Sequence, residues 1–335
     1  MMRITSSRTT RRRFLAGAGT TAALAPVIGW SSRAHAAWPT DKPIRIVIPF
    51  AVGGPPDIVA RVIAPPLGEA LGASVIIENK AGAGGNIGIS TVARSDPDGY
   101  TLLVCSSAFM LNPSLFDNVP YDALADFVGI SEMATSPNVF SVDPKLGINT
   151  IADLIAYGRN NPEKLTYASP GAGTTPALSC DLLRIRGGFS MPAVVFTGAG
   201  PAVQSVLSSS VPVTCTALPP SHPHIVSGGL KALAVTGTRR WADLPDVPTM
   251  KEAGFDNFVH ETVNLMWAPA KTPPTIVERL AREMSAIMQR PAVRDVLQKG
   301  GYEVLGGDAA TVTARVTREV PMWREVVAQT GVRLK

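Results

Sequence analysis

The chain has 335 residues, of which 45% are hydrophobic and 17% are charged. This composition is typical of a globular protein with room for two domains of ordinary size, and it excludes an intrinsically disordered chain. The formal net charge of +5 comes from residues 1–36, which contain six arginines and no acidic residue. In the rest of the chain 25 basic residues face 26 acidic ones, a formal net charge of −1. The charge therefore gives no support to a nucleic-acid partner.

Residues 1–36 have the three parts of a bacterial export signal. Arg11-Arg12-Arg13-Phe14-Leu15 fits the twin-arginine pattern, residues 14–30 are weakly apolar, and Ala34-His35-Ala36 is a small-x-small cleavage site. The alternative is an uncleaved membrane anchor, but Gly, Thr and Pro interrupt the apolar span and make it a poor transmembrane helix. We therefore predict a twin-arginine signal, cleavage after Ala36, a periplasmic protein and no stable membrane insertion after cleavage.

Predicted strands and helices alternate from residue 44 onwards. Residues 44–48 form an apolar strand, and Asp57 begins a helix that should kink or restart at Pro65-Pro66, because an interior proline costs about 3 kcal/mol. Further strands are predicted at 74–78, 100–105, 127–134, 139–142, 165–169, 193–196, 211–216, 230–236, 263–268 and 302–305. Further helices are predicted from the end of the glycine loop at 88 to 93, after 150, at 175–186 and 201–208, near 224, from 274 to 288, at 291–299 and after 308. This alternation predicts an α/β fold with a parallel sheet and crossover helices.

The glycine-rich loop at 81–88 does not match a nucleotide-binding fingerprint. A G-x-G-x-x-G pattern from Gly82 would need glycine where Ile87 stands, and no acidic residue follows at a suitable distance. The chain also contains no G-x-x-x-x-G-K-[ST] sequence. We therefore predict no nucleotide and no cofactor.

Metal binding and catalysis have equally weak support. His260-Glu261 looks like the start of a zincin motif, but Asn264 stands where the second histidine is needed, and His222-Pro223-His224 lacks a third ligand nearby. No G-x-S-x-G sequence is present. Three cysteines without C-x-x-C spacing indicate neither a metal site nor a redox pair, although a Cys180–Cys215 disulfide stays open. We predict no catalytic residue, no metal ligand and no enzymatic activity.

Uncharged polar loops follow predicted strands in both halves of the chain. They are Gly53-Gly54, Ser106-Ser107, residues 169–175 and Thr197-Gly198. Hydroxyls and backbone amides suit a carboxylate, and four or five hydrogen bonds of about 1.5–3 kcal/mol each would supply the roughly 8 kcal/mol of micromolar affinity. The alternative is ordinary turn chemistry, which uses the same residue types. Their recurrence at successive strand ends favours a small-anion site.

Motifs along the whole chain after residue 36 resemble those of a known family. They are WPTDKPI at 38–44, PFAVGG at 49–54, DIVAR at 57–61, ENKAGAGGNIG at 78–88, PDGYTL at 97–102, NPSL at 112–115, LTYAS at 165–169, ALAVT at 232–236, LPDVPT at 244–249 and APA at 268–270. The chain is similar in these motifs to the Bug family, the extracytoplasmic substrate-binding receptors of tripartite tricarboxylate transporters.

The resemblance implies a two-lobed α/β fold of the type II periplasmic binding protein class, with the ligand cleft between the lobes. Lobe 1 would comprise residues 37–136 and 262–335, and lobe 2 residues 137–261. The ligands would be small carboxylates, including di- and tricarboxylates, amino acids and aromatic acids. Carried onto this sequence, the ligand-binding residues are Ala51, Gly53, Gly54, Asp57, Ser106, Ser107, Ser169, Gly173, Thr174, Thr175, Thr197 and Gly198.

The chain departs from the family pattern at this predicted site. Pro55-Pro56 stand where the family usually has Gly and then Thr or Ser, which removes a hydroxyl and two N–H donors. Phe196-Thr197-Gly198 replaces the family's Tyr-Lys-Gly, residues 213–217 lack the family's Asp, and Asn264-Leu265 replaces an aromatic-Gly step. The identity of the ligand therefore does not carry over from the family.

The functional hypothesis is a monomeric receptor that closes on a small carboxylate and delivers it to the large and small permease subunits of a membrane transporter. Closure would be a hinge motion at Ser136-Pro137 and Glu261-Thr262, where the chain crosses between lobes. The alternative is an extracytoplasmic carboxylate sensor acting on a signalling partner. An enzyme on the same scaffold is the third hypothesis.

Overall fold

The computed structural model describes residues 38–334, which belong to one compact unit. The predicted signal segment and its cleavage site lie outside the described residues. Within residues 38–334 none of the helices is both long enough and apolar enough to cross a membrane.

The described chain contains ten strands and ten α-helices in an α/β order. The strands are β1 Ile44–Ile48, β2 Val75–Asn79, β3 Thr101–Cys105, β4 Phe127–Val142, β5 Tyr167–Ser169, β6 Ala193–Val195, β7 Val213–Ala217, β8 Lys231–Val235, β9 Glu261–Pro269 and β10 Glu303–Gly307. The helices are α1 Pro55–Leu71, α2 Asn86–Ala93, α3 Ala108–Leu115, α4 Ile151–Asn160, α5 Thr175–Gly187, α6 Ala199–Leu207, α7 Leu218–Val226, α8 Pro274–Gln289, α9 Pro291–Lys299 and α10 Ala309–Thr330.

The strands form a single curled sheet in the order β2-β1-β3-β9-β4-β7-β5-β6, and β8 and β10 also pair with β4. The sixteen-residue strand β4 is shared by two half-sheets. Its residues 127–137 pair with β9 and β10, which with β1, β2 and β3 make the first half-sheet. Its residues 138–142 pair with β7 and β8, which with β5 and β6 make the second half-sheet.

The predicted parallel pairing is present on each flank of the sheet, where β1 pairs with β2 and β3, and β5 pairs with β6 and β7. The central strands β4 and β9 run antiparallel to their neighbours. The sequence predicted two strands where β4 runs unbroken through Ser136 and Pro137. Proline and the residue before it both favour extended backbone, so the strand continues through this pair.

Helix α1 also differs from its prediction. It begins at Pro55, two residues earlier than predicted, since proline is well tolerated where helical N–H groups have no acceptor. It then continues through Pro65-Pro66 as one helix of 17 residues. Ile63 and Leu67, on either side of these prolines, are fully buried. Their burial stabilises the helical conformation against the loss of backbone hydrogen bonds at the prolines.

The first half-sheet is covered on both faces, as its apolar strands require. In β3, Leu102 and Val104 belong to one buried cluster together with residues of α1 and α8, and Leu103 and Cys105 belong to another together with residues of α2 and α3. Strand positions alternate between the two faces, so each face of β3 has its own core. Cys105, Cys180 and Cys215 are all buried free thiols.

Candidate functional site

A narrow cleft of about 30 Å³ lies where β1, β3, β5 and β7 end and α1, α5, α6 and α7 begin. Its lining residues come from both half-sheets. They are Phe50, Gly54, Pro55, Pro56, Ser106, Pro170, Thr174, Thr175, Pro176, Ala199, Ala217 and Thr262. This is the position at which open α/β sheets bind ligands, because several loops from carboxyl strand ends meet there.

The loop after β1 touches the loop after β6 directly. The N–H of Ala51 donates to the carbonyl oxygen of Thr197 at 3.1 Å. A Cβ atom at Gly198 would lie 3.1 Å from the Cβ of Ala51, so a side chain there would crowd this approach. The Thr197 side chain is exposed and does not line the cleft. Ala51, Thr197 and Gly198 therefore form a contact between the two half-sheets.

Asp57 stabilises the loop after β1 from the side that faces away from the cleft. Its side chain is 1% exposed and accepts hydrogen bonds from Arg61, from Asn79 and from the N–H of Gly53, the last at 2.9 Å. Burial opposes ionisation of Asp57, but the hydrogen bonds from Arg61, Gly53 and Asn79 hold the pKa of the carboxyl below its usual range. Asp57 and Gly53 do not line the cleft, and they shape the loop that does.

Three of the hydroxyls that line the cleft already donate their protons within the protein. Thr174 Oγ1 donates to the carbonyl oxygen of Gly171 at 2.8 Å, and Thr262 Oγ1 donates to Asn138 Oδ1 at 2.8 Å. Thr175 Oγ1 lies 2.9 Å from Thr262 Oγ1. Since a hydroxyl has one proton and Thr262 gives its own to Asn138, Thr175 is the donor of this pair.

Ser106 differs from these threonines. Its hydroxyl contacts the Cys105 thiol, a weak acceptor, and burial raises the pKa of that thiol to about 12. The neighbouring Ser107 does not line the cleft: its Oγ accepts from the N–H of Val263 at 2.9 Å and donates to the carbonyl oxygen of Glu261 at 3.3 Å. Ser106 is therefore the lining hydroxyl most available to a ligand, and Ser107 joins β3 to β9.

The remaining predicted residues lie beside or behind the cleft. Ser169 is buried, and its Oγ accepts from the N–H of Gly171 at 3.4 Å. Gly173, with φ +83°, lines a neighbouring cavity of about 180 Å³ that shares Thr174 with the cleft. Four predicted residues line the cleft itself, namely Gly54, Ser106, Thr174 and Thr175. Ligand binding by any predicted residue stays a prediction.

Sequence reasoning did not select the other lining residues. Pro170 lies inside the predicted loop 169–175, although it was not selected as a ligand-binding residue. Phe50, Pro55, Pro56 and Pro176 adjoin predicted residues, so extending each loop by one or two residues would have found them. Thr262 had no such signal as a binding residue. It reaches the cleft because β9 pairs with both β3 and β4, a long-range contact that no local sequence pattern indicates.

The cleft carries no charged side chain among the residues that line it. Helix N-termini surround it instead, and each presents N–H groups without intrahelical acceptors and a partial positive charge. Thr175 and Ala199 occupy the first helical positions of α5 and α6. Such a site is suited to a small anion held by neutral donors.

No group of His, Cys, Asp and Glu side chains within residues 38–334 is arranged to hold a metal ion. His260 is buried, its Nδ1 lies 3.3 Å from Ser179 Oγ, and burial together with the charge of Arg186 lowers its pKa to about 4. His222 Nε2 lies 3.7 Å from Asp243 Oδ2. No third metal-ligating side chain joins this pair within residues 38–334.

Comparison with known proteins gives one consistent family. Residues 59–332 match the tripartite tricarboxylate transporter family receptor. The protein BugT of Bordetella pertussis is 34% identical over 296 residues, which cover 88% of this chain and 91% of BugT.

Solved structures agree with this match. The periplasmic binding protein BugD superposes with a TM-score of 0.85 at 34% identity, covering 88% of this chain and 99% of BugD. Rpa4515 of R. palustris, solved with adipate, gives a TM-score of 0.84 at 32% identity over 88% of this chain and 99% of its own. The predicted two-lobed fold class and the family resemblance are thereby confirmed. The chain belongs to the tripartite tricarboxylate transporter receptors and is a periplasmic binding protein of the Bug type.

Proposed function

We propose that this receptor captures a small carboxylate in the periplasm and delivers it to a tripartite tricarboxylate-type membrane transporter. The observation that carries the proposal is the cleft at the strand ends, which is uncharged and surrounded by helix N-termini from both half-sheets. A related receptor of 32% identity was solved with adipate, a small carboxylate. Neutral N–H and hydroxyl donors bind such an anion and also let it leave, as delivery requires.

Binding would close two lobes on the ligand by a hinge motion. Lobe 1 would comprise residues 37–136 and 262–335, and lobe 2 residues 137–261. The exchange of β4 partners between Pro137 and Asn138 supports these boundaries, because β9 and β10 pair before that point and β7 and β8 pair after it. Ser136-Pro137 and Glu261-Thr262 would then be the hinge, and the contact between Ala51 and Thr197 would be made on closure.

The partners in this proposal are the large and small permease subunits, which would take the ligand from a monomeric receptor. The export signal proposed for residues 1–36 would bring the protein to the compartment where these subunits are accessible. Deletion of the gene should abolish uptake of the bound carboxylate by cells, and the wild-type gene on a plasmid should restore it. Unchanged uptake in the deletion strain would contradict the transport role.

Ligand binding is tested by thermal unfolding of the purified protein with a panel of mono-, di- and aromatic carboxylates. A ligand that binds only the native state adds about 2.7 kcal/mol of stability at a hundred times its Kd, so Tm rises. Native mass spectrometry of the untreated protein detects any ligand retained from the host. If no carboxylate raises Tm and none is retained, the proposed function is wrong for this protein.

A further inference from the structure

We propose that the cleft selects an anion with a single carboxylate and an apolar body over the dicarboxylate of the same length. This inference rests on the proposed function, since it specifies the ligand class of the same site. It follows from a difference in the number of free hydrogen-bond donors on the two sides of the cleft. The side formed by α5 and α6 keeps hydrogen-bond donors, whereas the side formed by the loop after β1 and the start of α1 has almost none.

The donors of the first side are already used within the protein. In residues 51–56 the N–H of Ala51 bonds to the Thr197 carbonyl oxygen, that of Gly53 to Asp57 Oδ2, and that of Gly54 to the Ala51 carbonyl oxygen. Pro55 and Pro56 have no N–H. Two further N–H groups remain on this side, those of Val52 and Asp57, and neither residue lines the cleft.

Charge also disfavours a second carboxylate on this side. Asp57, the residue after Pro56, has a buried carboxyl group. Its hydrogen bonds hold the pKa of this carboxyl below its usual range, so it is ionised near neutral pH. Arg61 neutralises it from outside the cleft. The surfaces turned toward the cleft belong instead to Phe50, Pro55 and Pro56, which offer apolar carbon. Burying an unpaired carboxylate against them would be strongly unfavourable.

The opposite side offers two backbone donors to a carboxylate. Thr175 and Ala199 stand at the first position of α5 and α6, where N–H groups have no intrahelical acceptor, and both line the cleft. Pro176 and Pro201 follow them in the first turns, which limits the number of these donors. The Ser106 hydroxyl, which contacts only a weak thiol acceptor, adds a third donor to the cleft from the first half-sheet, where it follows β3. Three donors match one carboxylate.

Matched ligand pairs test this selectivity by isothermal titration calorimetry on the purified protein. The pairs are butyrate and succinate, hexanoate and adipate, and 4-methylbenzoate and terephthalate, in each of which a methyl group replaces the second carboxylate. In any pair that binds, the monocarboxylate should be at least about tenfold tighter, the effect of leaving one charged group without its hydrogen bond. Equal or tighter binding of the dicarboxylate overturns the inference and leaves the proposed function intact. Binding of neither member in every pair overturns the proposed function at this site.

A proline variant tests the cause. Pro56→Ala adds one N–H donor at the start of α1 and keeps a Cβ. It should therefore strengthen dicarboxylate binding and reduce the ratio of the dicarboxylate Kd to the monocarboxylate Kd by about tenfold. Pro65→Ala, in the same helix but exposed and away from the cleft, is the matched control and should leave the ratio unchanged. A ratio that moves equally in both variants, or in neither, would show that Pro56 does not set the selectivity. If Pro56→Ala does not fold, the wild-type ligand pairs decide the inference alone.

Discussion

Thr262 Oγ1 donates a hydrogen bond to Asn138 Oδ1 at 2.8 Å, and this contact joins the start of β9 to β4, the strand that the two half-sheets share. Asn138 is fully buried and stands where β4 exchanges its partners. Its Nδ2 donates to the carbonyl oxygen of His260 at 3.2 Å and to Thr175 Oγ1 at 3.4 Å. One buried amide therefore connects β4, β9 and the first residue of α5 directly beneath the cleft.

Replacing Asn138 with Ala should lower the free energy of unfolding by about 1–3 kcal/mol, because the buried Thr262 hydroxyl loses the acceptor of its proton. The His260 carbonyl oxygen would keep the hydrogen bond from Thr236 Oγ1 but lose the one from Asn138 Nδ2. Urea unfolding at pH 7 measures the change. Asn149→Ala is the control, since Asn149 is exposed and its loss should cost less than about 0.5 kcal/mol. A loss below about 1 kcal/mol for Asn138→Ala would contradict the role given to this amide.

Ser106→Ala should weaken ligand binding about tenfold or more, because it removes a hydroxyl donor to a charged ligand. It should change the free energy of unfolding little, since its hydroxyl meets only a thiol. Ser107→Ala is the matched control with the opposite pattern. It leaves the N–H of Val263 unpaired in the core and should cost about 1–3 kcal/mol of stability with little change in affinity. Calorimetric titration and urea unfolding separate the two effects, and a reversed pattern would refute the assignment.

His260 should make the protein less stable in mild acid. Its pKa is about 4 in the folded state and about 6.5 in an unfolded chain, so between these values the unfolded state binds more protons. The free energy of unfolding therefore falls as the pH drops from about 6.5 to 4, by roughly 3 kcal/mol in total. Urea unfolding from pH 7 to pH 4.5 should show a smaller decline in His260→Gln than in the wild type. Parallel curves would refute this.

Arg315 of α10 should be necessary for stability. It forms ion pairs with Glu132 of β4 and with Glu319, two carboxylates that are almost fully buried. Arg315→Ala would leave the buried Glu132 without a counter-charge and Glu319 with Arg318 alone, and should cost about 3–5 kcal/mol. Arg290→Ala is the control, because the Arg290–Glu69 pair is exposed and contributes at most about 1 kcal/mol. Similar losses in the two variants would contradict this distinction.

Local patterns predicted those parts of the structure that local physics determines. The alternation of apolar strands and helices predicted the parallel flanks around β1 and β5, and Gly and Ser after those strands marked most of the loops at the cleft. The continuity of β4 and the position of Thr262 could not be predicted in this way, because both depend on pairing with β9 across more than a hundred residues. The continuation of α1 through Pro65-Pro66 likewise depends on tertiary burial.

Asp57 shows a second limit of sequence reasoning. The family resemblance places Asp57 among the ligand-binding residues, which stays a prediction, and the structure adds that its carboxylate accepts from Gly53, Arg61 and Asn79. Nothing in the sequence pairs Asn79 with Asp57, since they meet only when β2 lies beside β1. Thr262 shows the same limit. Its hydroxyl donates to Asn138, which is distant in sequence, so the sequence does not reveal this partner.

The contact between the loop of Ala51 and that of Thr197 is made by backbone and glycine, without an ion pair. Counterions screen charged contacts, but they have little effect on a single N–H to carbonyl hydrogen bond. Ligand would therefore dissociate at a rate that depends weakly on ionic strength. A receptor built in this way would keep the same ligand residence time in dilute and in saline surroundings.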